Sequence, residues 1–132
     1  MRVGSPTSLS SLTFGEDMAD LKMYICVREE VPSFMVPTLV AHTVLNNQIH
    51  WDTFPWIISS DHDSWNYHKW LKESFKKCVV KVNKKEWQKI IQITNVFLGH
   101  ENTTLGGEKS CAIPPIMEEY PNVIKFAKLW TP

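Results

Sequence analysis

Apolar positions along the chain repeat with two different periods, and each change of period marks a new element. "KMYICVR", residues 22–28, is a β-branched and aromatic run of strand length that ends in charge. "CVVKV" at 78–82, "VFLGH" at 96–100 and "KSCAI" at 109–113 predict three more strands, the last stopped by Pro114 and Pro115. Between the first two strands, Val36, Leu39, Val40, Thr43 and Val44 recur at helical spacing, which predicts a helix from about Phe34. Ser33 suits its N-cap and Pro37 its first turn. Residues 46–62 read as a loop, with "DTFPW" as a turn. A second helix is expected from Ser64 to Phe75, capped by Asp63 and partly burying Trp65, Trp70 and Leu71.

The third helix has the clearest start. Asn83 and Glu86 stand at the N-cap and N3 positions of a capping box, ahead of a stripe of Trp87, Ile90, Ile91 and Thr94. A short helix from Pro121 and a last extended piece close the chain. Strands alternating with helices predict an α/β fold with helices on both faces of a parallel or mixed sheet. Residues 1–20, rich in Ser, Thr and Gly, read as a flexible leader to a single domain over 21–132.

His42 is the one titratable residue inside the apolar run "FMVPTLVAHTVL". Six residues on from Val36, it lies about 240° round the helical wheel at about 100° per residue. It therefore shares a flank with Thr38 and Leu45 and stands outside the core stripe, where a groove-edge residue belongs.

Composition narrows the class. The 132 residues suffice for one domain with its own core, and no run approaches the about 18 apolar residues of a membrane span. Cys26, Cys78 and Cys111 each sit in an apolar run; an odd count of this kind reads as buried, reduced thiols in a cytoplasmic chain. The net charge of zero hides a block over residues 69–89 with eight lysines against two glutamates. Such a block is either a face for anions or the solvated side of two helices.

Chemistry in an open α/β sheet gathers in the loops outside the strands' carboxyl ends. Here those are the stretch from Arg28 to His42 and the loop Gly99–Lys109. The second holds His100, Glu101, Thr103, Thr104, Glu108 and Lys109, and Gly106-Gly107 lets backbone N–H groups approach an anion or carbonyl oxygen. "SSDHDS" at 59–64 has metal-like residue types, but helix capping accounts for them without a metal. There is no P-loop, dinucleotide fingerprint, nucleophile elbow or HExxH, and no cofactor is expected.

Taken in order, "LKMYICVR", "VAHTVL", "KKCVVKV", "VFLGHENTTLGGEKSCAIPP" and "VIKFAKLW" resemble the type 2 peptidyl-tRNA hydrolase family over about residues 21–131. The motifs are short; their order and spacing carry the likeness. It implies a three-layer α/β fold with a four-stranded mixed sheet, and metal-independent cleavage of the ester joining a peptide to tRNA. It also implies catalytic work by His42, Glu101, Thr103 and Thr104, with substrate bound by Arg28, Gly106, Gly107 and Lys109. The lysines of 69–89 would then meet tRNA, and a homodimer is a further expectation.

The chain also departs from that family. Met35 stands where the family has a Lys near the start of the first helix, and no Lys occurs between Arg28 and His42. The family's Asp-Ala-Gly becomes His100-Glu101-Asn102, and its Gly-Thr becomes Gly107-Glu108. Loss of a cation that would stabilise developing negative charge leaves a second reading, a non-catalytic member that binds tRNA, protein or a small ligand.

Overall fold

A computed structural model describes residues 20–53 and 62–132. All but the last residue of the expected leader and most of the "DTFPW" turn lie outside these residues, as do the first three residues of "SSDHDS". Five strands form one mixed open sheet in the order β3-β4-β1-β2-β5. They are β1 (Lys22–Arg28), β2 (Lys76–Val82), β3 (Phe97–Gly99), β4 (Cys111–Ile113) and β5 (Lys128–Leu129). β1 and β2 run parallel, joined by the long helix α1 (Val36–Thr53) and by α2 (His62–Lys72). β4 pairs antiparallel with both β1 and β3, and β5 pairs antiparallel with β2. Two shorter helices, α3 (Lys84–Ile90) and α4 (Asn122–Lys125), complete the described chain.

The alternation of side chains along β1 divides the core in two. Met23, Ile25 and Val27 join Leu39 and Trp51 of α1 and Tyr67 and Trp70 of α2 in one buried cluster. Cys26 joins Val80, Val82, Ala112, Trp87 and Ile90 of α3, and Ile124 of α4 in the other. A strand buried on both sides has no polar face to show, which is why "KMYICVR" reads as an almost continuous apolar run.

Several expectations change. α2 starts at His62, ahead of the expected Asp63 cap, ends at Lys72 rather than Phe75, and leaves Trp65 62% exposed where partial burial was expected. The loop expected over 46–62 is helical as far as Thr53, because the buried stripe Val36, Leu39, Thr43 continues through Asn47 to Trp51. The low helix propensity of Asn46 and Asn47 is overridden by the burial of Asn47 and Trp51. The sheet has five strands where four were expected, since Lys128–Leu129 pairs with Lys81 and Val80. The capping box at α3 forms as expected, with 2.8 Å bonds from the Glu86 N–H to Asn83 Oδ1 and from the Asn83 N–H to Glu86 Oε1.

Candidate functional site

The site begins with a contact between backbone and helix. A Cβ added at Gly99 would lie 2.3 Å from Thr43 Oγ1, so only glycine lets α1 come this close to the end of β3. Thr43 is itself fixed there: buried, it donates from its hydroxyl to the Leu39 carbonyl at 2.8 Å. The neighbouring residue, His42, is thereby carried out to the rim beside the loop that leaves Gly99.

His42 Nε2 stands 3.8 Å from Glu101 Oε2, with the histidine side chain about half exposed. This is an electrostatic pair, longer than the about 2.6–3.2 Å reach of a direct general base, and such contacts commonly tighten on substrate binding. Glu101 is aimed by its own loop. The Thr103 hydroxyl and the Thr103 N–H, the latter at 2.8 Å, both donate to Glu101 Oε1. The hydroxyl is the larger influence and the N–H the next; together they hold the Glu101 carboxyl below its ordinary pKa, with smaller help from His42 and His100.

Beyond Glu101 the loop tightens into a turn at Leu105–Gly107. Leu105, Gly106 and Gly107 take φ values of 49°, 64° and 84°, a left-handed run that two glycines make inexpensive. Nothing lies within 4 Å of a Cβ placed on Gly106, so its backbone is open to approach. Lys109 Nζ lies 3.2 Å from His100 Nδ1, which puts a cation on the same loop. Thr104 turns the other way: it is 1% exposed, and its hydroxyl has no hydrogen-bond partner among the described residues. The structure thus brings His42, Glu101 and Thr103 together, places Lys109 on their loop, and sends the Thr104 hydroxyl inward.

Arg28 is committed elsewhere. Its Nη1 donates to Glu108 Oε1 and to the Lys109 carbonyl, each at 3.1 Å. Its Nε is 3.4 Å from Glu30 Oε1, and the guanidinium lies 5.6 Å from the Trp87 ring centroid. These contacts clamp the C-terminal end of the loop to the end of β1, so Arg28 acts on the loop that was expected to share a ligand with it. Glu108 holds Arg28 without having been expected to, while Thr43 and Trp87, expected only as parts of buried stripes, also seat Gly99 and face the guanidinium. Gly99, inside a strand pattern, was the one signal of a close approach.

The lysines of 69–89 do not form one array. Lys69 and Lys72 belong to α2, whose Tyr67 and Trp70 enter the first core cluster; Lys84, Lys85 and Lys89 belong to α3, whose Trp87 and Ile90 enter the second. Lys76 pairs with Asp20, Lys77 lies 3.3 Å from the centre of the Phe75 ring, and Lys81 donates to the Thr131 carbonyl at 3.2 Å.

Cys26 and Cys111 are buried free thiols, and desolvation raises both, Cys111 to about 12, which leaves them protonated and poor nucleophiles. Among the described residues, no group of three or more His, Cys, Asp or Glu is placed to hold a metal ion. No described helix is long and apolar enough to cross a membrane. Compared with known proteins, the chain matches no family model and no curated protein.

Proposed function

We propose that the chain is a divergent peptidyl-tRNA hydrolase-like enzyme, and that it cleaves the ester between peptide and tRNA with His42 and Glu101. The observation that carries this reading is the 3.8 Å pairing of His42 with a carboxylate that Thr103 orients and whose pKa its hydrogen bonds lower. A carboxylate beside Nε2 favours the tautomer protonated there, leaving Nδ1 to accept a proton. Water then attacks the ester carbonyl carbon while its proton passes to Nδ1. As the intermediate collapses, the bond to the ribose oxygen breaks and the imidazolium returns that proton to the leaving alkoxide. Lys109 and the open backbone at Gly106 supply positive charge and an N–H dipole for the oxyanion, in place of the lysine that the first helix lacks; the Gly107 N–H is already donated to the Thr104 carbonyl at 2.9 Å.

The same reading takes the helices as closing both faces of the sheet in three layers. Three free cysteines suit a cytoplasmic setting. A second reading, a binding protein that has kept the fold without the chemistry, is favoured by one observation. The Thr104 hydroxyl is buried and Arg28 is taken up by Glu30 and Glu108, which leaves fewer groups for a substrate.

Release of the N-acetyl-aminoacyl group from its tRNA by wild type, His42→Ala and Glu101→Gln separates the two. The hydrolase reading expects turnover that falls by about 10²–10⁴-fold in His42→Ala, with the fold intact by circular dichroism. Folded wild type with no turnover above background gives the case to the binding protein.

A further inference from the structure

The outer face of α2 carries a second, separate groove. Trp65, His68, Lys69, Lys72 and Glu73 line a space of about 180 Å³. That is smaller than the about 300–1,000 Å³ of pockets for drug-sized ligands, and it suits one flat ring system. Trp65 is 62% exposed and makes no ring contact with any described residue. Trp65, Lys69 and Lys72 stand at i, i+4 and i+7, so both lysine stems share the tryptophan's face and lean back toward it.

The charges in the groove are unequal. Glu73 pairs with Lys69 at 3.7 Å, while Lys72 makes no ion pair or hydrogen bond with any described residue. His68 is held by its contact with the Ser64 carbonyl at 2.9 Å and stands 4.0 Å from Asp52 Oδ1. The lining therefore keeps a net positive charge at neutral pH, at the start of the most lysine-rich stretch of the chain.

We infer that this groove binds single-stranded nucleic acid, one base stacking on the exposed face of Trp65 while Lys72, with Lys69, meets the adjoining phosphates. An indole offers every base a sequence-independent stacking surface, and a flanking cation ties that base to its backbone. A purely apolar partner would leave the Lys72 ammonium group unmatched, and an inorganic anion would leave the indole unused. The inference does not depend on hydrolysis at His42, since none of the groove's residues takes part in that chemistry.

The test is fluorescence anisotropy of an end-labelled single-stranded RNA decamer with the full chain, titrated over a range of salt concentrations. Wild type should bind, and Trp65→Ala should weaken binding by about tenfold without changing the salt slope, while Trp65→Phe retains most of the affinity. Lys72→Gln should lower the salt slope by about 0.7, the share of one phosphate contact on a single strand. Both positions lie on an outer helix face, so thermal melts of the three variants should match wild type. Absence of binding at low salt overturns the inference. So does binding that Trp65→Ala leaves unchanged, or that inorganic polyphosphate reproduces with equal affinity, because either shows charge attraction alone. Peptide release by His42 is read in a separate assay, so a failure here is distinguishable from failure of the hydrolase reading.

Discussion

Thr103 gives Glu101 Oε1 two donors, and a carboxylate bound in this way has a lower pKa folded than unfolded. The resulting stability is present above the unfolded pKa of about 4.3 and is lost as the pH falls through the lower folded value. Thr103→Val removes the hydroxyl and keeps the N–H. The variant should be less stable than wild type at neutral pH, with the gap closing on acidification below about pH 4. Urea unfolding across pH, with the Glu101 carboxyl followed by NMR, checks both the loss and its sign. A gap that stays constant with pH would assign the hydroxyl a packing role. In the sequence, Glu101 and Thr103 were legible as candidates because they are neighbours on one loop. The 3.8 Å approach of His42 was not, because it depends on a contact between α1 and β3 that no local pattern encodes.

At the scale of elements, local signals were read well and distant ones poorly. The capping box of α3 is written within four residues, Asn83 to Glu86, and it forms as written. For a helix of seven residues the cap satisfies a large share of the otherwise unpaired N–H groups. Asn83→Ala should therefore destabilise the protein by about 1 kcal/mol, measured as a shift in urea midpoint at unchanged m-value. The second half of α1 is the opposite case. Its helicity rests on Trp51, 3% exposed and stacked on Tyr67 of α2 at 5.7 Å between ring centroids. Asn46 and Asn47 have low helix propensity, which that partner, sixteen positions beyond Trp51, overrides.

For the whole molecule, the sheet's edges matter more than its centre. The extended piece after Phe126 was legible as extended, but its two-residue pairing was too short to register as a strand. Yet β5 covers one edge of β2, with Trp130 N–H donating to the Val79 carbonyl at 3.0 Å and Lys81 Nζ reaching the Thr131 carbonyl. Deleting residues 128–132 would open the β2 edge, leaving backbone groups around Val79 to Lys81 free to pair with another chain. The truncated protein should melt at lower temperature and associate with rising concentration, as seen by light scattering. A monomer of unchanged melting temperature would show that β5 adds nothing to the sheet.

The close fit of Gly99 against Thr43 also has a consequence for descent. A methyl group at position 99 has nowhere to go unless position 43 gives up volume, so position 99 can enlarge only after position 43 has shrunk. Among any sequences found to share this fold, a larger residue at 99 should travel with alanine or glycine at 43. Where that exchange has happened, the rim histidine is the residue whose neighbours would have moved.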